Sequence, residues 1–293
     1  MAAVTGLGGI GGVAPPAARL RARRGLGRGR WRELRWWRLA VLVVVGAYFL
    51  VPLYAALRFS FSTTTGGWSV SAWTSLPAAQ GFGPAFLLSL RLALVATVLT
   101  VLLVVPAGLV VHLRLPRLRA VMDVATTLPI VIPPIVLILG LLAAAPPWLK
   151  ATPYLLALEY AVLGFPFVYR SLDAGLRAID HATLVDASRS LGGGWMVTFA
   201  RVLLPNLRTA ILSGTVLCVA LAFGEFTMAS LDQYQTFPVW IVNFDQSNSP
   251  QTSVAASIAA LGVTWILLLG LSLLGGGRKR RPRQTDDAGG ATP

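Results

Sequence analysis

Six long apolar stretches constrain this chain more than any other feature of its sequence. They cover residues 39–57, 84–111, 124–145, 153–169, 209–231 and 253–277. A bilayer core roughly 30 Å thick is crossed by about 20 helical residues, the approximate length of these stretches. Only 12% of the 293 residues are charged, against about 25% in ordinary soluble domains. The sequence therefore predicts an all-α membrane protein with six transmembrane helices, its membrane domain spanning residues 39–277.

The basic residues indicate which ends of the spans face the cytoplasm. Of the 25 Lys and Arg residues, 22 lie in the tail before span one, in the loops around Arg114–Arg119 and Arg170–Arg208, or in the tail after span six. All these segments fall on one side of a six-span topology, and Lys and Arg are retained on the cytoplasmic side. We therefore expect both termini in the cytoplasm, with disordered basic tails at 1–38 and 278–293 that contact anionic lipid rather than nucleic acid.

The residues required for several kinds of catalytic or metal site are missing from the sequence. Cys218 is the single cysteine, which excludes a disulfide framework and a cysteine-cluster metal site. Neither Lys150 nor Lys279 stands in a GxxxxGK[ST] phosphate loop, and the chain has no HExxH or GxSxG string. We therefore expect no enzyme, resident metal or cofactor in this chain, and any ATP that drives it must bind to another protein.

The loop at residues 178–205 has a pattern of its own. Apolar residues within Ala178–Leu191 recur every three or four positions, which predicts a short amphipathic helix. Gly192–Gly194 end this helix, and the same spacing from Trp195 predicts a second short helix that Pro205 closes. Short helices are marginal alone in water, so this unit needs a packing partner, either the ends of the spans or another protein.

The stretch VDASRSLGGGWMVTFARVLLP resembles the EAA loop of the inner-membrane permeases of binding-protein-dependent ABC importers. The family pattern is E-A-A, three residues, Gly, nine residues and then I-x-L-P. The matching positions here are Asp186, Ala187, Ser188, Gly192, Val202, Leu204 and Pro205. Asp for Glu, Ser for Ala and Val for Ile are departures, but the spacing is intact. The segments LPIVIPPIVLILGL and FGEFTMASL also resemble this family.

The resemblance implies a type I ABC importer permease in a bacterial inner membrane. Its implied partners are two ATP-binding subunits that hold the ATP, a second permease, identical or sister, and an extracytoplasmic solute-binding protein. In such a complex Asp186 would face a basic group on the ATPase, and small Ala187 and Ser188 would let the helix enter a groove. Gly192 would allow a tight elbow and a close backbone approach that a Cβ would obstruct. The segment FGEFTMASLDQYQTFPVWI most resembles permeases for polyamines, ferric iron, thiamine or phosphonates.

Two carboxyl groups lie within the predicted spans. Glu159 is near the start of span four and Glu225 near the end of span five, each about 10 Å below the outer face at 1.5 Å per residue. A carboxylate at that depth is costly unless it faces protein or water. Both residues are candidates for a substrate path that favours a cation or an amine. Alternatively, each pairs with a neighbour such as Arg91 or caps backbone groups.

Two other functions are compatible with a polytopic chain. A self-sufficient secondary transporter or channel predicts paired broken helices in repeated halves, and it leaves the helix, glycine elbow and helix unexplained. An intramembrane enzyme needs a catalytic group within the spans. His112 and His181 are both expected on the cytoplasmic side, and Cys218 has no His or Asp beside it in sequence. The importer permease is therefore the preferred hypothesis.

Overall fold

The computed structural model of the protein describes residues 28–63, 66–247 and 250–275. Within these ranges the chain is helical, with one isolated bridge between Ser62 and Trp68, which confirms the all-α prediction. The main helices are α1 (Arg28–Ser60), α2 (Phe82–Leu113), α3 (Arg119–Val131), α4 (Pro134–Ala144), α5 (Tyr154–Arg177), α6 (His181–Ser190), α7 (Leu204–Phe223), α8 (Thr227–Leu231), α9 (Phe237–Ser247) and α10 (Pro250–Gly275). Shorter helical segments lie at Ser71–Ser75, Leu76–Ala78, Pro116–Leu118, Pro147–Lys150, Trp195–Val197 and Thr198–Leu203.

Five helical segments of the described chain are long and apolar enough to cross a membrane. They are Trp36–Ser60, Phe82–Leu113, Tyr154–Arg177, Trp195–Leu231 and Pro250–Leu273. A sixth crossing results if α3 and α4, which bend by 106° at a short break, together form one span. The helical count therefore agrees with six predicted spans, although the third is a bent pair.

The chain divides into two compact units, Met1–Arg58 and Phe59–Pro293. In the first unit, none of residues 36–58 is buried, and its apolar side chains point in all directions. A helix of this kind suits a lipid environment or contact with another membrane helix. Residues 28–38, predicted as disordered tail, are helical instead, because Arg, Glu and Leu there are good helix formers. Residues 1–27 and 276–293, with the second predicted tail, lie outside the described residues.

Consecutive prolines cause the break between α3 and α4. Ile132 and Pro133 have extended backbones, with ψ of 125° and 137°. A residue that precedes proline avoids the helical region, and Ile132 and Pro133 both precede one. Proline also lacks the N–H that would continue the helical hydrogen bonds. The predicted third span, 124–145, is therefore not one continuous helix.

The helices α2, α5 and α7 form the centre of the second unit and cross where their side chains are small. The hydroxyl of Thr100 in α2 donates a hydrogen bond of 3.0 Å to the Ala161 carbonyl oxygen in α5. Buried Cys218 in α7 lies 3.7 Å from the same hydroxyl oxygen. A Cβ at Gly164 in α5 would collide with the Cys218 sulfur. Membrane helices commonly pack through small residues in this way.

Two more glycines hold α5 and α7 close together in antiparallel register. A Cβ added to Gly214 would lie 2.7 Å from the Cα of Val168. A Cβ added to Gly175 would collide with the Cβ of Ala210. These contacts continue the helix crossing toward the end of α5 where α6 begins. That end is called the loop side below.

We expect Gly214→Ala to lower the thermal stability of the protein in detergent. The added methyl meets backbone atoms of α5 rather than a flexible side chain, and overpacking of this kind costs about 1–3 kcal/mol. The matched control is Gly262→Ala in α10, where a Cβ meets nothing within 4 Å. Equal unfolding temperatures for the two variants would contradict the packing described here.

Candidate functional site

The helix α6 starts at an aspartate cap. The Asp180 carboxylate accepts hydrogen bonds from the Thr183 hydroxyl, at 2.7 Å, and from the Thr183 amide, at 3.2 Å. These hydrogen bonds lower the pKa of Asp180, so that the cap stays ionised at neutral pH. The predicted start at Ala178 is three residues too early, since α5 runs to Arg177. An Asp immediately before the helix is a start signal that the sequence already contained.

The EAA-like residues of α6 do not all face the same way. Asp186 and Ala187 are exposed, whereas Ser188 is buried. The Ser188 hydroxyl lies 2.8 Å from the Thr198 hydroxyl oxygen on the far side of the elbow. Ser188 therefore holds the two arms of the loop together, a position that differs from the exposed groove contact that the resemblance implied.

The elbow depends on two glycines for different reasons. Gly192 has a φ of +80° and open space around it, so its backbone conformation rather than crowding favours glycine. At Gly193 a Cβ would lie 2.6 Å from the Ser188 hydroxyl oxygen and 2.7 Å from its carbonyl oxygen. The Gly193 amide donates to that carbonyl at 2.8 Å. The tight turn expected at Gly192 is thus present, and a close approach within the chain occurs at Gly193, while an approach of Gly192 to another protein stays a prediction.

The second arm of the loop continues into the membrane-spanning helix instead of ending at Pro205. A short α-helical turn, Trp195–Val197, leads into a π-helical segment, Thr198–Leu203, and then into α7. The π turn shifts the hydrogen-bonding register just before Pro205, which lies in the first turn of α7 and therefore does not interrupt it. Of the motif residues, Val202 is half-buried, whereas Leu204 and Pro205 are exposed.

Apolar side chains project into solvent beside the exposed motif residues. Leu191 is 89% exposed and Met196 is 73% exposed, on either side of the glycines. We call Asp186, Ala187, Leu191 and Met196 the elbow surface. Exposed apolar side chains beside a carboxylate are a common feature of protein contact sites, and Met is enriched in them.

The elbow is tied to α2 by a cation–π contact that the sequence did not reveal. The Arg114 guanidinium, just after α2, lies 4.2 Å from the centre of the Trp195 ring. Nearby, His112 Nε2 donates to the Asp173 carboxylate at 2.8 Å, and Arg177 contacts the other oxygen of Asp173 at 2.9 Å. These contacts fix the loop-side ends of α2 and α5 next to the elbow.

Glu159 and Glu225 lie near one another at the other end of the bundle but in different environments. Glu159 is 0% exposed, and neither of its oxygens has a hydrogen-bond partner within the described chain. The Glu225 carboxylate accepts hydrogen bonds from the backbone amides of Met228, at 3.0 Å, and Ala229, at 3.3 Å. Glu225 thus caps α8, one of the two alternatives that the sequence left open. Arg91 is exposed and forms no ion pair with either carboxylate in the part of the chain that is described.

Comparison with known proteins identifies relatives over most of this fold. A family model described as "Binding-protein-dependent transport system inner membrane component" matches residues 104–276. The chain is 31% identical over 206 residues to the molybdenum transport system permease protein ModB of Mycobacterium tuberculosis, covering 64% of this chain and 77% of that protein. It is 30% identical over 216 residues to sulfate permease 2, chloroplastic, of Chlamydomonas reinhardtii, covering 62% of this chain and 57% of the algal protein.

Solved transporter structures have the same fold. The inward-facing MetNI methionine ABC transporter gives a TM-score of 0.52 at 14% identity, covering 67% of this chain and 97% of that chain. An amino acid ABC transporter gives a TM-score of 0.54 at 17% identity, covering 71% of this chain and 98% of that chain. The predicted type I importer permease fold is therefore confirmed.

We expect Gly193→Ala to loosen the elbow, because the new methyl must displace the Ser188 carbonyl that the Gly193 amide now contacts. Gly194→Ala is the matched control, since a Cβ there meets nothing within 4 Å. Hydrogen exchange of the α6 amides should become faster in the first variant and stay unchanged in the second. Unchanged exchange in both variants would show that the described elbow is wrong.

Proposed function

The chain belongs to the family of binding-protein-dependent transport system inner membrane components, and on this premise we propose that it forms the transmembrane path for a tetrahedral oxyanion in an ATP-driven importer. The proposed partners are two ATP-binding subunits, a second permease, identical or sister, and an extracytoplasmic solute-binding protein. ATP would be held by the partner subunits. The observation that carries this proposal is the elbow surface, which a left-handed glycine at the end of α6 holds in a defined shape.

We propose that the elbow surface contacts an ATPase subunit. Asp186 offers it an exposed carboxylate, Ala187 leaves room for a close approach, and Leu191 and Met196 supply apolar area. Gly192, Val202, Leu204 and Pro205 would act by shaping the loop, and Ser188 by joining its arms. Because α6 follows α5 after three residues, a pull on the elbow would be transmitted to the packed helices α5 and α7.

The relatives change the expected substrate. Polyamines, ferric iron, thiamine and phosphonates were expected from a short segment around span five, but the relatives that align over about two thirds of the chain are named for molybdenum and sulfate. Sulfate and molybdate are both tetrahedral divalent oxyanions. We therefore propose an oxyanion of this class as the substrate.

The position in the membrane follows from the charge distribution. We propose that the chain lies in a bacterial inner membrane with both termini and the elbow in the cytoplasm, where 22 of its 25 Lys and Arg residues would then be retained. This orientation places the elbow surface where ATP is available. It also places Glu159 and Glu225 near the side that receives substrate from a binding protein.

The first experiment reconstitutes the chain in liposomes with its ATPase and binding protein and measures ATP hydrolysis and uptake of labelled sulfate and molybdate. We expect liganded binding protein to stimulate both activities. Uptake that persists without an ATPase would favour a self-sufficient transporter. Hydrolysis that responds to neither oxyanion would show that the substrate class is wrong.

We expect Gly192→Val to uncouple hydrolysis from uptake, because a β-branched residue strongly disfavours a φ of +80° and would deform the elbow. ATP hydrolysis should continue while uptake falls. Gly194→Val is the control, since Gly194 has neither a positive φ nor a close neighbour. Normal coupled uptake in the Gly192 variant would argue against the assigned role of the elbow.

The role of Glu159 and Glu225 in a substrate path stays a prediction. Replacing the Glu159 carboxyl by an amide tests it. If an oxyanion passes near Glu159, the neutral amide of Glu159→Gln cannot repel it, and uptake at low substrate concentration should be unchanged or faster. If the path instead favours a cation, the same variant should take up its cationic substrate more slowly. Initial uptake rates in the reconstituted complex distinguish these outcomes, with wild-type protein in parallel.

A further inference from the structure

A groove of about 330 Å³ opens between α3 and α5 near the loop side. It is lined by Asp123, Val124, Thr127, Leu128, Val131 and Arg170. Arg170 was expected in the cytoplasmic loop, but α5 continues to Arg177. Arg170 therefore lies on α5 itself, seven residues before its end and about one turn before Asp173, with an exposed side chain.

The Arg170 side chain is held in place but not neutralised. Its Nη2 donates a hydrogen bond of 3.0 Å to the Thr127 hydroxyl oxygen. That hydroxyl in turn donates to the Asp123 carbonyl oxygen at 2.6 Å. A guanidinium has five N–H groups in a rigid fork, so most of its donors remain available to the groove.

The nearby charges do not provide Arg170 with an ion-pair partner. In the described residues, the two ion pairs on this chain both use Asp173, which contacts His112 and Arg177. Asp123 lines the same groove, yet it makes no ion pair with Arg170 within the described chain. The groove therefore presents an exposed guanidinium, which one hydrogen bond holds to Thr127, beside the exposed apolar side chains of Val124, Leu128 and Val131.

We propose that Arg170, which Thr127 holds in place, forms a transient binding site for a tetrahedral divalent oxyanion on its way through the permease. This inference rests on the proposed function and assigns that function a site within the chain. A guanidinium fork matches two oxygens of such an anion. The Thr127 hydroxyl has given its hydrogen to the Asp123 carbonyl oxygen, so it positions the guanidinium by accepting a hydrogen bond from it rather than by contacting the anion. The Asp123 carboxylate in the same groove weakens the attraction. A site on a transport path must bind weakly enough to release its substrate.

The test uses the complete complex in liposomes, with Arg170→Gln, Arg170→Lys and Arg208→Gln. Arg208 is an exposed arginine on α7 without an ion pair in the described chain, and it serves as the matched control. We expect Arg170→Gln to reduce sulfate and molybdate uptake by roughly tenfold or more, as for the loss of a hydrogen bond to a charged group. Arg170→Lys keeps the charge but not the fork, so its uptake should be intermediate.

ATP hydrolysis stimulated by liganded binding protein reports on assembly and should persist in all three variants. Uptake by Arg170→Gln equal to that of Arg208→Gln would overturn the proposed site while leaving the oxyanion importer intact. Loss of stimulated hydrolysis together with uptake in Arg170→Gln would also overturn it, because Arg170 would then be needed for assembly. Wild-type complex that takes up neither oxyanion would instead overturn the proposed function.

Discussion

The close approach of α5 and α7 is the constraint on which the rest of the structure depends. At three successive levels of this antiparallel pair the contact is made by a glycine, which has no side chain: Gly164, Gly175 and Gly214. A membrane offers little hydrophobic drive between helices, so dense packing through small residues must provide the contact energy. This packing fixes where α5 ends and α7 begins. It thereby fixes the two arms of the elbow that joins them.

The elbow surface has a defined shape because contacts within the elbow hold its two arms together. A left-handed glycine turns the chain, a second glycine lets the Ser188 backbone approach, and the Ser188–Thr198 hydrogen bond closes the arms. The π turn then brings the second arm into α7 without a break. Because α5 carries Arg170 and is followed after three residues by α6, only the Arg170 side of the groove lies on the helix next to the elbow, and the other lining residues lie on α3. Motion of the elbow would therefore move Arg170 relative to α3.

Hydropathy and glycine spacing predicted much of this arrangement, and the residual differences have physical causes. Apolar length located the spans, but it gave residues 124–145 as one span and did not reveal the break after Val131, where two consecutive prolines end the helix. The sequence could not reveal that Ser188 faces inward, because its partner Thr198 lies ten residues later and is brought near only by the folded elbow. Gly193 was missed because its contact requires the folded turn. Pro205 was wrongly expected to end a helix, since nothing in the sequence signalled the π turn. The substrate expectation rested on one short segment, too little to decide among related importers.

Docking of an ATPase subunit on the elbow surface would shield position 187, which thiol labelling can measure. The single native cysteine, Cys218, is buried, so an Ala187→Cys variant has one accessible thiol. Gly83→Cys, exposed at the opposite end of the bundle, is the control. Added ATPase subunit should slow labelling at position 187 and leave labelling at position 83 unchanged. Equal labelling rates at position 187 with and without an ATPase that co-purifies with the chain would contradict docking on the elbow surface.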